Sequence, residues 1–324
     1  MTESAQAASQ HNTFHQGEMI AQQRAGVSEK MAEIGPRVIR DYMPDQHRQF
    51  FAQLPFLLVG SRDGTGQPWA SILAGEAGFI SSPTERQLDL RARAHPSDPL
   101  HANLHEGAAL GLLGIEPHTR RRNRANGIAG QLRDDGFSIA ITESFGNCPK
   151  YIQARKPELI DLDPAAPVSE EAGAVLTPAM ADLIARADTF FIATAADEST
   201  GHVGGRHGTD VSHRGGKPGF VRIDGDRTLT APDFIGNFFF NTIGNLLTHP
   251  RAGLLFVDYE KGDLLYVAVT AKVIWDGPEV ASFTGAQRLL QFSVTQARLV
   301  RSVLPLRWGQ AEASPYLEPM GRWN

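Results

Sequence analysis

The chain has 324 residues, of which 41% are hydrophobic and 21% charged, a composition typical of soluble globular proteins rather than disordered ones. Its 31 Lys and Arg residues against 36 Asp and Glu residues leave a net charge of −5, which argues against a general nucleic-acid binder. The single cysteine, Cys148, excludes an internal disulfide and a thiolate metal cluster. With no signal peptide and no apolar run of the roughly 20 residues that span a bilayer, we expect a cytoplasmic protein with no membrane partner.

The first half of the sequence predicts a β-rich domain over residues 31–160, preceded by a flexible, polar N-terminus at residues 1–30. A helix is predicted after Pro44, because Phe50, Phe51 and Leu54 share one helical face. Short apolar runs separated by turn residues then predict an antiparallel meander. Its strands are expected at residues 56–61, 69–75, 108–115, 122–132 and 137–144.

A Pro-, Ala- and acid-rich linker at residues 161–178 leads to a second domain at residues 179–324, where the same pattern restarts. A helix at residues 178–188 precedes strands at 189–195, 227–233 and 264–275, and residues 241–260 indicate a helix, a Pro turn and a strand. The repeated order favours duplication of one small β-barrel domain, although two β-rich domains could also share ordinary hairpin patterns. The predicted fold class is mainly β with peripheral helices.

The stretch TDVSHRGGKPGFVRI, residues 209–223, is predicted to be a Gly-rich loop that opens a strand. A phosphate needs several N–H donors and at least one cation, and glycines let the backbone approach closely. Ser212, Arg214, Gly215 and Lys217 supply these groups within one turn, and Arg222 adds a guanidinium. The alternative is a solvated hairpin turn.

RRRNRANG, residues 120–127, is a second basic cluster. In a strand, Arg120, Arg122 and Arg124 would share one face, and three guanidiniums there repel one another unless an anion or water intervenes. The stretch is therefore either a solvated outer face or a site for a phosphate or an acidic partner.

GNCPKYI, residues 146–152, predicts a helix start with Asn147 as N-cap and Pro149 in the first turn. Free amides there, with Lys150 and Tyr151, could contact an anion, but helix capping explains Asn147 equally well. The pKa of Cys148 could fall beside this helix start, yet nucleophilic catalysis would also require a placed histidine.

Other candidate groups are weaker. Trp69 and Ser71, on a strand, could face a ligand or belong to the core, and residues 238–240, three phenylalanines, could stack on a ring or line an interface between the domains. His202, His207 and His213 lack metal-ligand spacing, so we expect no metal. The sequence contains no GxGxxG after a strand, no P-loop and no GxSxG, which disfavours a dehydrogenase of the Rossmann type, an NTPase and an α/β-hydrolase.

The motifs MPDQHRQFFAQLPFLLVGS, PWAS, FGNCPKYI, S-RGG-PGF and THPRAGLLF together resemble the FMN-binding split barrels related to pyridoxamine 5′-phosphate oxidase, in particular the long two-barrel subgroup. The resemblance covers nearly all of residues 35–308. It implies tandem FMN-binding split β-barrels in one chain, with FMN at the interface between them. The implied function is an FMN-dependent oxidoreductase acting on a small substrate or electron acceptor, and the alternative is a non-catalytic flavin- or haem-binding module.

The resemblance implies a set of FMN contacts. These are Ser212, Arg214, Gly215, Lys217, Gly219, Phe220, Val221, Arg222, Asn237, Thr242, Trp69, Ser71, Arg122, Arg124, Asn147, Lys150 and Tyr151. Residues 236–242 carry no basic side chain where the family holds the phosphate, so the cluster at 120–124 is the expected substitute across the barrel interface. A small-molecule substrate or redox partner is implied, as is pairing into a homodimer. Pyridoxamine phosphate oxidation itself is not expected, because the C-terminal pattern of that enzyme is missing.

Overall fold

The computed structural model describes residues 13–163, 165–196 and 208–323. The helices are α1 (Gln16–Arg24), α2 (Ser28–Val38), α3 (Asp45–Ala52), α4 (Pro99–Asn103), α5 (Pro178–Arg186), α6 (Asn241–Thr248) and α7 (Pro278–Ser282). The strands of the first half are β1 (Phe56–Arg62), β2 (Pro68–Ala74), β3 (Ile80–Thr84), β4 (Gln87–Leu90), β5 (Ala109–Glu116), β6 (Arg121–Arg133), β7 (Gly136–Asn147) and β8 (Pro157–Leu159). Those of the second half are β9 (Glu170–Gly173), β10 (Thr189–Ala195), β11 (Thr209–Gly215), β12 (Arg222–Asp224), β13 (Thr228–Asp233), β14 (Arg251–Val257), β15 (Leu264–Ile274), β16 (Arg288–Val300) and β17 (Leu306–Trp308). The predicted mainly β fold class is confirmed.

Two antiparallel sheets have the same strand order. The first runs β2-β1-β5-β6-β7-β4-β3, and the second runs β11-β10-β14-β15-β16-β13-β12. Each strand of the first sheet therefore has an equivalent in the second, from β1 and β10 through to β7 and β16. Over the described residues both sheets are open rather than closed into barrels.

The equivalence extends to single residues. β7 and β16 each carry a bulge, at Thr142 opposite Asn126 of β6 and at Thr295 opposite Ala268 of β15. At each bulge the threonine donates its hydroxyl to the carbonyl of the opposite residue, Thr142 to Asn126 at 3.2 Å and Thr295 to Ala268 at 3.1 Å. A bulge occupies one defined position in a strand ladder. The shared bulge therefore shows which residue of the first sheet corresponds to which residue of the second.

Helices α4 and α6 are also equivalent. The amide of Asn103, at the end of α4, donates to the hydroxyl of Ser61 in β1 at 3.0 Å. The amide of Asn245, in α6, donates to the hydroxyl of Thr194 in β10, also at 3.0 Å. Each helix is therefore fastened to the same point of its own sheet.

The sheets pack against each other through an apolar interface to which both contribute, separate from the core of each sheet. At its centre the backbones approach so closely that only glycine fits. A Cβ on Gly111 in β5 would meet the carbonyl oxygen of Thr209 in β11, and one on Gly253 in β14 would meet that of Pro68 in β2. These two contacts exchange equivalent residues, so the halves are related by an approximate two-fold axis.

The N-terminal segment differs from the expected flexible tail. Residues 1–12 lie outside the described residues, but residues 16–38 form two helices, and α1 packs on α6 of the second half. The amide of Asn241 donates to the carboxyl of Glu18 at 2.6 Å, and that of Gln22 donates to the carbonyl of Phe239 at 3.4 Å. The polar sequence of α1 concealed this docking, because its buried face contains Gly17, Glu18 and Gln22, and Ala21 is its only buried apolar side chain.

The segment expected to be a linker also contributes to the fold. β9, within residues 161–178, pairs with the end of β16, and β8 just before it pairs with β17. Among the described helices, none combines the length and the apolar composition needed to cross a bilayer.

Candidate functional site

A cleft opens between the two sheets at the start of α6. It encloses about 730 Å³, including the solvent at its mouth. We call it the arginine cleft; it is lined by Leu113, Arg122, Arg124, Asn147, Cys148, Ser212, His213, Arg214, Asp233, Phe234, Ile235, Gly236, Asn237, Phe238, Phe240, Asn241, Thr242, Ile243 and Arg288. Both halves of the chain are needed to form it.

The N-terminus of α6 forms one wall of the cleft. Its N-cap residue, Phe240, has left-handed backbone geometry (φ 64°) and no side-chain hydrogen bond to the helix. The first three amides of a helix have no acceptor within it, and a phenylalanine offers none. The amides of Asn241, Thr242 and Ile243 therefore bring N–H donors and the positive end of the helix dipole to the cleft. The hydroxyl of Thr242 donates to that of Ser212 at 3.1 Å.

Four guanidinium groups but only one carboxylate line the cleft. Arg214 donates to Asp233, and Arg288 lies 3.4 Å from the same carboxylate. Arg124 donates to Asp210, which lies behind the wall, at 2.5 Å. Even when Asp210 is counted, two more positive than negative charges remain, because four arginines face two carboxylates.

The fourth arginine has no carboxylate partner among the described residues. Arg122 donates instead to the carbonyl of Cys148 at 2.7 Å and to the ring Nδ1 of His213 at 3.2 Å. Burial lowers the pKa of Arg122 to about 10, and the neighbouring Arg214 and Arg124 act in the same direction. With this pKa Arg122 is still charged at neutral pH. Because no carboxylate in the described part of the chain pairs with it, this charge is uncompensated.

His213 and Arg288 experience the same excess of positive charge. Burial, followed by the charges of Arg122 and Arg214, lowers the pKa of His213 well below its usual range, so its ring is neutral. Burial and the charge of Arg214 also lower the pKa of Arg288, against the opposing effect of Asp233. An anion in the cleft would relieve the repulsion in every case.

Several buried donors at the cleft have no hydrogen-bond partner within the described part of the chain. They are the Nε atoms of Arg214 and Arg288 and the side-chain nitrogen of Asn147. The Arg288 guanidinium lies over the rings of Phe240 and Trp275, at 4.9 and 4.8 Å from their centroids. Buried polar groups are normally satisfied, so this concentration of unpaired donors is a feature of a binding site rather than of a core.

Seven of the residues predicted from the sequence meet in the cleft. These are Ser212, Arg214, Arg122, Arg124, Asn147, Asn237 and Thr242. They come from four separate parts of the chain, so their convergence depends on the packing of the two sheets.

The predicted Gly-rich loop is wrong in its local structure. Residues 209–215 form strand β11, which pairs with β10 along its whole length. Gly215 therefore lies in a strand, opposite Thr189, rather than in an anion-binding turn. Strand alternation places Ser212 and Arg214 on one face, toward the cleft. Beyond the strand, Phe220 and Val221 are buried in the core of the second sheet, and Gly219 is exposed.

Two predicted cations do not reach the cleft. Lys217 donates to the carbonyls of Met320 at 2.5 Å and Glu318 at 3.2 Å, near the C-terminus. Arg222 pairs with Asp224 and Glu279. Both therefore hold peripheral segments together.

The predicted helix after Gly146 is also absent. Asn147 is the last residue of β7, and Tyr151 has left-handed geometry (φ 66°) in an irregular turn. The hydroxyl of Tyr151 donates to the carbonyl of Ile235 at 3.2 Å, which supports the wall of the cleft from outside, and Lys150 lies over the ring of Tyr316. Of this motif, only Asn147 and Cys148 line the cleft.

Two other residues predicted to contact the ligand lie in the packed interior instead. Trp69 lies in the apolar interface and donates its ring N–H to Asp63 at 3.0 Å, and Ser71 is fully buried beside it on β2. Arg120 precedes β6 and pairs with Glu312 at 2.8 Å, so only two of the three arginines predicted to share a face do so at the cleft.

The cleft contains groups that sequence reasoning missed. Asp233 ends β13, Arg288 begins β16, and these ends lie opposite each other in the sheet. No local motif surrounds either residue. The only signal in the sequence was an arginine, Arg288, at the start of a long and largely apolar stretch. Its pairing with Asp233 becomes visible only in the sheet.

The described residues contain no group of three or more His, Cys, Asp or Glu side chains that could hold a metal ion. His202 and His207 lie outside the described residues. The sequence prediction of no metal therefore stays a prediction for the whole chain.

No protein-family model matches the chain, and no curated protein matches it significantly. Among solved structures, it is similar to HupZ from Group A Streptococcus, with 16% identity, a TM-score of 0.29, and 37% of this chain and 89% of that one covered. A putative pyridoxamine 5′-phosphate oxidase from Lactobacillus delbrueckii gives 13% identity, a TM-score of 0.30, and 39% and 94% coverage. An FMN-binding protein from Syntrophomonas wolfei gives 14%, 0.25, and 36% and 78%.

Proposed function

We propose that the arginine cleft binds FMN, with the phosphate of the nucleotide at the N-terminus of α6. The observation that carries this proposal is the uncapped start of α6 facing Arg122, Arg214 and Arg288. A phosphate monoester at pH 7 carries between about 1.5 and 2 negative charges and three acceptor oxygens. Its charge matches the excess of two positive charges at the cleft, and its oxygens match the free amides and guanidinium N–H groups.

The remainder of the cleft suits the ring system of a flavin. Phe238 and Phe240 contribute aromatic surface, and Ile235 lies exposed at the mouth. An apolar wall beside a cationic end is the pattern that a phosphorylated aromatic ligand requires.

The repeated strand order supports a finer interpretation of the fold. We propose that each sheet is a split barrel and that the chain contains two of them in tandem, as the motifs predict. The interface that single-barrel relatives would form between subunits then lies inside one chain.

Bound FMN would supply hydride or electron transfer, which makes an oxidoreductase acting on a small substrate or electron acceptor the favoured activity. The residues of the chain would bind the phosphate, orient the ring and exclude water from one face of it. A non-catalytic flavin-binding module is the second candidate, because the only carboxylate lining the cleft, Asp233, is already engaged by Arg214.

A flavin titration tests the proposal. FMN fluorescence should be quenched on binding, and riboflavin, which lacks the phosphate, should bind at least tenfold more weakly. Inorganic phosphate should compete with FMN but not with riboflavin. The absence of quenching at high micromolar FMN would contradict the proposal. Equal affinity for FMN and riboflavin would show that the phosphate does not bind at the N-terminus of α6. NAD(P)H oxidation above the rate with free FMN separates the enzyme from the module.

A further inference from the structure

The approximate two-fold axis relates the arginine cleft to a second place in the molecule. The shared bulges, the Asn103 and Asn245 hydrogen bonds and the two glycine contacts align the halves residue by residue. Counting from these fixed points, the residues equivalent to the binding groups of the cleft can be named. We call them the counterpart position: Ser71, Leu73, Asp98, Leu264 and Tyr266.

The helix start differs at the counterpart position. Asp98 is the N-cap of α4 and is equivalent to Phe240, the N-cap of α6. Its carboxylate accepts a hydrogen bond from the amide of Leu100 at 2.8 Å and another from the hydroxyl of Tyr266, also at 2.8 Å. A protein carboxylate therefore occupies the place at α4 that is open to an external anion at α6.

The cations are also missing. Tyr266 is equivalent to Arg124, Leu264 to Arg122 and Leu73 to Arg214, as counted along the paired strands. All three replacements are at most 3% exposed. Only the serine is retained, as Ser71 for Ser212, and it is fully buried.

An arginine beside the counterpart position, Arg298, is already neutralised. Arg298, opposite Tyr266 on β16, lies 3.3 Å from the carboxylate of Glu170 and donates to the carbonyl of Ser97 at 3.1 Å. Glu170 belongs to β9, which pairs with the end of β16. The equivalent end of β7, by contrast, presents Asn147 to the arginine cleft.

We infer that the chain binds a single flavin nucleotide, in the arginine cleft, and that the counterpart position is closed, with the Asp98 carboxylate standing where the ligand phosphate lies in the other half. This rests on the proposed function for the identity of the nucleotide. The asymmetry itself follows from charge and burial, and applies to any phosphate-like anion.

Two measurements test it. Calorimetric titration with FMN should give one site per chain, and crystals soaked in tungstate should show one anion, at the start of α6. Two flavins per chain, or a tungstate at the start of α4, would overturn the inference, as would tungstate at neither place. No flavin binding together with one tungstate at α6 would remove FMN while keeping the asymmetry.

Two variants test the number of flavin sites per chain. Arg214→Ala should weaken FMN binding at least tenfold and reveal no second site at millimolar FMN. Tyr266→Phe, which removes the hydroxyl bonded to Asp98 and keeps the ring, should leave both the affinity and the count of one unchanged. A second binding phase that survives in Arg214→Ala and disappears in Tyr266→Phe would place a flavin at the counterpart position and contradict the inference.

Discussion

The guanidinium of Arg124 in the first sheet and the carboxylate of Asp210 in the second are 2.5 Å apart, and both side chains are almost fully buried. The amides of Asn126 and Asn245 also donate to Asp210, at 2.9 and 2.8 Å. One carboxylate therefore satisfies donors from both sheets and from α6, at the place where the back wall of the cleft meets the interface.

Asp210→Asn should therefore be strongly destabilising. The substitution leaves Arg124 without a counter-charge and sets an amide against two amide donors, and breaking a buried pair typically costs about 3–5 kcal/mol. Urea denaturation followed by circular dichroism measures the change in the free energy of unfolding. Glu33→Gln breaks the exposed Arg37–Glu33 pair and is the matched control, for which we expect little change. A similar small effect for both variants would contradict the role assigned to Asp210.

Arg288→Ala should raise the Kd for FMN at least tenfold. A charge-assisted hydrogen bond contributes about 1.5–3 kcal/mol, and each 1.4 kcal/mol corresponds to about a factor of ten in affinity. Arg222→Ala is the control, because Arg222 was predicted from the sequence to grip phosphate but pairs with Asp224 and Glu279 away from the cleft. Fluorescence titration of both variants decides the matter, and equal affinities would show that the phosphate lies elsewhere.

His213→Gln should reduce the loss of stability on acidification. Because the pKa of His213 is lowered in the folded protein, the unfolded chain takes up this proton first as the pH falls below 6.5. The wild-type protein should thus lose stability between about pH 7 and pH 5, and the variant should lose less. Denaturation curves at several pH values measure the difference, and parallel curves would mean that the pKa of His213 is not lowered in the folded protein.

Asp98→Asn should act in the opposite direction. Burial raises the pKa of Asp98 from 3.8 to about 6, against the hydrogen bonds that it accepts from Leu100 and Tyr266. The folded protein therefore holds this proton more tightly, and the associated stability is present below about pH 4 and lost as the pH rises to 6. The loss, about 3 kcal/mol at roughly 1.4 kcal/mol per pKa unit, should be missing from the variant. An unchanged pH profile would contradict the raised pKa.

Sequence reasoning located the arginine cleft without describing it. Ser212, Arg214, Arg122 and Arg124 were identified because phosphate chemistry requires their residue types, and strand alternation determines which of them share a face. The local conformation around Ser212 and Arg214 was wrong, since the Gly and Arg residues of β11 look like a loop when the partner strand is unknown, whereas the strand that carries Arg122 and Arg124 was predicted correctly. Tertiary pairing overrode local composition.

Lys217, Arg222 and Arg288 show the limit of arguing from neighbours in sequence. Lys217 lies only three residues after Arg214, but the chain leaves β11 between them and Lys217 turns toward the C-terminal segment. Arg288 is far away in sequence and reaches the cleft because β16 lies beside β13. Proximity in such a sheet is set by strand order, which composition does not encode.

Having both sheets in one polypeptide changes what a substitution can do. In a symmetric homodimer every replacement appears twice, so Tyr266 in place of an arginine would abolish both sites at once. Here Arg124 and Tyr266 are encoded separately, and each can be altered while the other is kept. One half can thus keep a buried tyrosine at this position while the other keeps an arginine that faces the cleft, a difference that identical subunits cannot have.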